Sequence, residues 1–452
     1  MINLPDLPND VIAIIAHYTD PKSKRALSQV NRRIREVVLD TIKCIRVFPP
    51  EAYPSEIPKD ILATTISRYP RLQEIIFGPQ KNLHGTDEFT TGHAPYLEPF
   101  ISYLQSNPDE HPLNSVKKIR FREIDRYFLG KAQVGKLNKF FLSSIGHIGL
   151  ENIKIEVDCN GSVLTGKKIQ PVLDNSPNLR TFSFNGFQSN QMVTLSFTKQ
   201  PLLSKVKLLD WDGDSSTLDS LKNCKRLEEL IISYTGVYST RTKSILLKNH
   251  PWNLKRLELH GMALRNDAYL DAITKTLPNL ECLNVRLEDI SDEGIEKLGK
   301  NCPNLKILQF NNSKITDAGL DKLTRHLPHL EIIQFEEAFK ITEKGIAAIA
   351  RNCKKIRFIQ VFHYKHIEKS GIEALIENCP NLRGVEFTHG GPISLEDMYQ
   401  LAQQMPKLRY VNLDYVDGIQ EQQIKDFYQT FPHLSKIPYV SSAKQLDRLA
   451  AL

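Results

Sequence analysis

Cys302-Pro303-Asn304-Leu305-Lys306-Ile307-Leu308-Gln309-Phe310 is one statement of a phrase that returns throughout the second half of the chain. Its leading apolar residue recurs as Leu254, Leu280, Leu305, Leu330, Ile356, Leu382, Leu408 and Leu434, in steps of 25 or 26 residues. Two more apolar residues follow at alternate positions: Leu257 and Leu259, Leu308 and Phe310, Ile333 and Phe335, Val385 and Phe387, Val411 and Leu413. Alternation of period two reads as a short strand with one buried face. Then come an apolar residue and a helix opener, as in Ile290-Ser291-Asp292, Ile315-Thr316-Asp317, Ile341-Thr342-Glu343 and Ile393-Ser394-Leu395. Serine and threonine accept from the unsatisfied N–H groups of a helix start, and acids suit its first turn. Pro278, Pro303, Pro328, Pro380, Pro406 and Pro432 fall where each helix should stop. Gly294, Gly319, Gly345 and Gly371 share one phase within these helices, although glycine costs about 1 kcal/mol there against alanine. That phase predicts close packing against the next repeat.

A unit of one strand and one helix cannot bury its apolar face alone, so such units stack. The pattern is that of a leucine-rich repeat. It predicts an α/β fold, a right-handed solenoid with parallel strands on the concave face and helices on the convex face. Upstream the rhythm loosens, with strand starts expected near Leu72, Val116, Leu150, Leu179, Val206 and Leu227. The expected organisation is a helical head at 1–46, irregular repeats at 47–250 with a polar loop near 78–95, and regular repeats with a C-terminal cap at 251–452. Trp211 and Trp252 are expected in the core.

In the head, Leu7, Val11, Ile14, Ile15 and Tyr18 recur at helical spacing, and so do Leu27, Val30, Ile34, Val37 and Val38. Asp20-Pro21 is placed to end one helix and start the next. The residues Leu7-Pro8, Asp10, Val11, Ile12, Ile15, Pro21, Leu27, Val30 and the basic run Arg32-Arg33 with Arg35 resemble an F-box. Tyr18, Lys24 and Ile34 depart from its usual pattern. The resemblance implies that the head docks a Skp-type adaptor of a cullin-based ubiquitin ligase, through Leu7, Pro8, Val11, Ile12, Ile15, Pro21, Leu27 and Val30. It further implies that the repeats hold a protein substrate. Cys302-Pro-Asn-Leu305 and Cys379-Pro-Asn-Leu382 resemble the cysteine-containing repeats found behind F-boxes. The array departs from them where a Cys or Asn usually closes the strand turn. Met262, Glu288, Ser313, Ala338, Tyr364, Gly390 and Val416 stand there, so the turns are expected to lack a regular hydrogen-bonded ladder. Two alternatives remain open: a head that only caps the solenoid of a plain interaction scaffold, and a bacterial effector that borrows a host ligase.

Composition narrows the chemistry. The 452 residues are 41% apolar, with no run long enough to span a bilayer and no leader at Met1, which makes the cytoplasm or nucleus the expected location, or the host cytoplasm for an effector. The balance of 59 basic and 52 acidic residues, net +7, is too even for nucleic acid or a membrane surface to be expected as partner. Cys224, Cys302, Cys353 and Cys379 occupy equivalent repeat positions on separate rungs and read as small buried packing residues. Neither a metal nor another cofactor is expected, because no CxxC pair occurs and His363-x-x-His366 reads as a surface pair. Cys44 and Cys159 lie outside the repeat phase. Gly161-Ser-Val-Leu-Thr-Gly166-Lys167 has the glycine and lysine of a phosphate-binding loop, but Lys168 stands where the magnesium-binding hydroxyl belongs, so it reads as a basic turn. No nucleophile is flanked by a base and an oxyanion turn, and the chain is expected to be a non-enzymatic subunit, monomeric apart from its adaptor.

Recognition then falls to the strand side chains that alternate with the core leucines. They predict three columns. The first is Arg256, Cys282, Ile307, Ile332, Phe358, Gly384, Tyr410; the second Glu258, Asn284, Gln309, Gln334, Gln360, Glu386, Asn412; the third His260, Arg286, Asn311, Glu336, Phe362, Thr388, Asp414. Aromatic and aliphatic anchors ringed by amides have the composition of an interaction hot spot. Ile332, Phe358, Phe362 and Tyr410 with Gln309, Gln334 and Gln360 are the expected substrate contacts.

Overall fold

The computed structural model describes the strands Cys44–Val47, Glu74–Phe77 and Lys118–Phe121 and residues 151–157, 166–186, 194–209, 211, 215–233, 252–311 and 314–435. The helices expected between Leu7 and Val38, the polar loop at 78–95, Gly161 to Thr165, Cys159 and the C-terminal cap from 436 lie outside the described residues.

The chain divides into two units, Met1–Arg226 and Leu227–Leu452. In the first, β1 (Cys44–Val47), β2 (Glu74–Phe77), β3 (Lys118–Phe121), β4 (Asn152–Val157), β5 (Thr181–Gly186) and β6 (Lys205–Leu209) pair in chain order, all parallel. Helices α1 (Gly166–Asp174) and α2 (Ser215–Ser220) belong to the same unit. Gly166 and Lys167 thus open a repeat helix. Five of these six strands start within two residues of the apolar positions that the loose rhythm marks; β1 was not foreseen.

The second unit holds β7 (Glu229–Ser233), β8 (Arg256–Leu264), β9 (Cys282–Leu287), β10 (Ile307–Asn311), β11 (Ile332–Glu336), β12 (Phe358–Phe362), β13 (Gly384–Thr388) and β14 (Tyr410–Asn412). Its helices are α3 (Asp267–Lys275), α4 (Asp292–Asn301), α5 (Asp317–Thr324), α6 (Glu343–Asn352), α7 (Lys369–Asn378), α8 (Leu395–Gln404) and α9 (Glu421–Thr430). The strands again pair in parallel and in sequence order. This is the repeat stack that the period predicts. The leading residues Leu254, Leu280, Leu305, Leu330, Ile356, Leu382 and Leu408 are wholly buried, and the alternate strand residues join them, with Phe310 and Phe335 stacked at 5.7 Å. Trp211 and Trp252 are buried, as expected.

Ser291, Thr316, Thr342 and Ser394 are N-caps, as their spacing predicts. Three of their hydroxyls also reach back to the preceding repeat. Ser291 and Thr316 donate to the Oδ2 of Asp267 and Asp292, one repeat earlier, and Thr342 donates to Asp317 Oδ2 at 2.7 Å. The backbone N–H of each of these caps donates to the other oxygen of the same carboxylate at 2.9 Å. Each first-turn aspartate therefore straps its helix to the start of the next. The glycine phase follows from this strap. A Cβ at Gly294, Gly319 or Gly345 would collide with the carboxylate of Asp267, Asp292 or Asp317. Glycine makes room for the preceding repeat, not the next one as the sequence suggested. Gly319→Ala should lower stability by about 1.5–3 kcal/mol, because the collision displaces a carboxylate holding two charge-assisted hydrogen bonds. Chemical denaturation of wild type and variant measures it, and no loss would remove the strap from the account.

A second tie lies at the helix ends. Asn301 donates to Asp271 and Thr274, and Asn352 donates to Asp321 and Thr324. The cysteine that follows each asparagine lies 3.6 Å by its Sγ from a carbonyl of the preceding repeat, Cys302 from Leu277 and Cys353 from Leu327. Burial pushes the thiols of Cys224, Cys302, Cys353 and Cys379 up to about 12. They are protonated packing residues at neutral pH and have no nucleophilic thiolate.

Candidate interaction face

Strand register places the first two predicted columns as read, whereas in the third an irregularity after Leu259 pairs Arg286 with Ala263 in place of His260. Ile307 pairs with Ile332, Ile332 with Phe358, Phe358 with Gly384 and Gly384 with Tyr410. Gln309, Gln334 and Gln360 align beside them, and Phe362 aligns with Thr388. Their exposure is the surprise. Phe358, Gln334 and Gln360 are 0% exposed, Ile332 1%, Phe362 4% and Gln309 7%, and among the expected contacts only Tyr410 is half-buried. Ile332 and Phe358 form a hydrophobic cluster of their own, with Ile307 and Tyr410 packed against it. Gly384 is part of the reason. It stands between Phe358 and Tyr410 without a side chain, and the two rings meet across it at 6.1 Å. All five residues of β12 and of β13 are buried, so these strands are covered on both faces, the condition in which parallel strands read as continuous apolar runs. The expectation of a solvent-facing hot spot is corrected accordingly.

The second column carries buried charge at both ends, under opposite electrostatics. Glu258 is fully buried, which by itself would push its carboxyl up. Hydrogen bonds from His260 and Arg256 and the Arg256 charge overcome that and hold it below the ordinary glutamate value. At the other end Glu386, 2% exposed, accepts from Gln360 Nε2 at 2.6 Å and Asn412 Nδ2 at 3.0 Å. Burial dominates there and raises its carboxyl, with two neutral amides offering only partial relief. A raised folded-state value means that stability is lost as pH climbs from the ordinary glutamate range through the raised one. Glu386→Gln should therefore stabilise the protein by about 1 kcal/mol at pH 7 and flatten that loss. Gln360 Oε1 has no hydrogen-bond partner, so its amide can flip to accept from the new carboxamide. Melting curves from pH 4 to 8 check it, and a destabilised variant at pH 7 would refute it.

Exposed aromatic surface lies instead at the turns that follow the strands. Glu337, His363, His389 and Tyr415 stand one repeat apart in left-handed conformation, with φ of 55°, 57°, 53° and 58°. Non-glycine residues rarely adopt it. Here the turn backbones bond one another: Ala338 N–H donates to Phe362 O, His363 to Thr388 O, Gly391 to Tyr364 O and Asp417 to Gly390 O. The turns thus carry a main-chain ladder that the missing Cys and Asn had argued against. Rings from the left-handed positions project outward and stack, His363 on His389 at 5.5 Å and His389 on Tyr415 at 4.5 Å, with Phe339 5.8 Å from His363. Phe339 is 54% exposed and Tyr415 76%. Nothing in the alternation of the strands marks this row, since it depends on where a turn points its side chains.

The adaptor-binding candidates from Leu7 to Val30 lie outside the described residues, and only Cys44–Val47 represents the end of the head. There a family model supplies the evidence, matching the F-box domain to residues 4–46. The chain carries an F-box domain. The matched stretch contains every residue from Leu7 to Val30 that the resemblance singles out, and runs into β1 at Cys44. No curated protein matches the sequence. Among solved structures, a chain in the crystal structure of the Rad7 and Elc1 complex in yeast is similar, at 16% identity and a TM-score of 0.49, over 76% of this F-box chain and 87% of that chain. No helix among the described residues is long and apolar enough to cross a membrane.

Proposed function

We propose that this F-box chain is the substrate receptor of a cullin-type ubiquitin ligase. The observation that carries the reading is the F-box at residues 4–46 ahead of a repeat stack. In this reading Leu7, Pro8, Val11, Ile12, Ile15, Pro21, Leu27 and Val30 grip a Skp-type adaptor, and the repeats hold a protein substrate. The chain forms and breaks no bond. It raises the effective concentration of a substrate lysine near a ubiquitin thioester carried by other subunits, which is catalysis by proximity. The protonated state of the repeat cysteines favours this division of labour, because direct transfer through this chain would need a thiolate.

For substrate contact we propose the last four repeats, where Tyr410, packed on Ile332 and Phe358, and the stacked row Phe339, His363, His389 and Tyr415 are accessible. Aromatic rings held in place by stacking offer contact area at little cost in side-chain entropy. The test is capture on purified Skp-type adaptor of the full chain and of one lacking Met1 to Asp40. Capture lost with the head, in a truncated chain that circular dichroism reports as folded, supports the receptor reading. A folded full-length chain that is not captured leaves a scaffold with a helical cap.

A further inference from the structure

The aspartate straps run from Asp267 through Asp292 to Asp317, and at the next step both halves change. The carboxylate is Glu343, and the N-cap it should meet is Glu368, which has no hydroxyl to donate and makes no side-chain cap. Two acids now face each other where an acid faced a donor. Gly371 keeps them close: a Cβ there would lie 2.9 Å from Glu343 Cβ and 3.0 Å from its Cα. His366, on the turn before α7, stands between them. Its Nε2 is 3.5 Å from Glu343 Oε2 and 3.9 Å from Glu368 Oε1, and the three possible ligand atoms all lie within 4.8 Å of one another.

Two details separate this cluster from an ordinary surface ion pair. Glu343 is 7% exposed, and its Oε2, the oxygen turned to His366, makes no hydrogen bond. A buried carboxylate oxygen with no donor is costly unless something else neutralises it. The spacings also exceed hydrogen-bond length, for which N–H···O distances centre near 2.9 Å. They approach instead the separation of about 3.4 Å between ligands that each sit about 2.1 Å from one tetrahedral cation. One imidazole and two carboxylates form a donor set suited to zinc and its neighbours among the divalent transition metals.

We propose that Glu343, His366 and Glu368 bind a divalent transition-metal ion of the zinc class, with a fourth position open to water or to a group on a bound protein. The ion takes the place of the missing strap, tying the start of α6 to the start of α7. His366 then belongs with the glutamates and not with His363, which stacks on His389.

The experiment uses the full-length chain without a histidine tag, stripped by a chelator, with Zn2+ titrated against a chromogenic competitor. Wild type should take up one Zn2+ per chain and melt at a higher temperature in its presence. His366→Ala and Glu368→Gln should each weaken binding roughly tenfold or more and remove the thermal shift. Glu368 has its side chain 71% exposed, so its substitution leaves folding intact. Absence of Zn2+ binding by wild type overturns the proposal and leaves a histidine–glutamate ion pair. Binding that survives unchanged in both variants overturns it too, and points to other donors such as Cys44 or Cys159.

Discussion

Alanine at both Leu7 and Pro8 should abolish recovery of the chain on a purified Skp-type adaptor while leaving its circular dichroism and melting curve unchanged. The two residues lie near the start of the segment, residues 4–46, that matches the F-box. A leucine side chain buried at an interface contributes about 1.5–3 kcal/mol through its apolar area. Central contacts of that kind reach about 2 kcal/mol or more on truncation. Two together amount to a loss of affinity on the order of a thousandfold at about 1.4 kcal/mol per decade. Micromolar capture would become undetectable. If capture and thermal stability disappear together, Leu7 and Pro8 belong to a cap that seals the repeats. If capture survives in full, the receptor reading fails.

Glu258→Gln should be the most destabilising single substitution in the strand columns, by about 3 kcal/mol at pH 7. Its carboxylate is wholly buried between Arg256 and His260, with His260 Nε2 at 3.0 Å. Removing the charge turns Arg256, whose side chain is 13% exposed, toward a neutral amide. Breaking one side of a buried pair costs far more than the pair is worth when intact. The pH dependence has a definite sign. Glu258 is held below the ordinary glutamate value, so its contribution is present above that value and disappears as pH falls through the lowered one. The gap between wild type and variant should be widest near neutrality and close in acid, with the variant the less stable, whereas the Glu386→Gln gap has the opposite sign. Denaturant titrations at pH 7 and pH 4 measure both, and a gap that does not change with pH would reject the electrostatic account.

Much of this was legible because the repeats state the same physics many times over. The step from Leu254 to Leu408 placed every regular strand, the cap residues Ser291, Thr316, Thr342 and Ser394 placed four helix starts, and the columns Ile332–Phe358 and Gln334–Gln360 aligned as alternation requires. The straps were harder to foresee. Asp267 and Ser291 lie 24 residues apart and meet only when helices stack, so the glycine that accommodates them could be read as crowded but not by what. The stacked row of His363, His389 and Tyr415 escaped notice for another reason. A left-handed turn held by main-chain bonds to its neighbours leaves no signature in side-chain type.

Period and phase are properties of residue order, since apolar positions at a fixed step can be buried together in only one arrangement of strand and helix. Exposure is not such a property. Whether Phe358 faces solvent or lies buried depends on Gly384 beside it, on the Tyr410 ring reaching across, and on cover over the strand face. The same holds for Glu258 and Glu386, two glutamates of one column that the chain writes alike. Only the assembled neighbours, a guanidinium and an imidazole for one and two neutral amides for the other, decide which is held charged and which is pressed toward its proton.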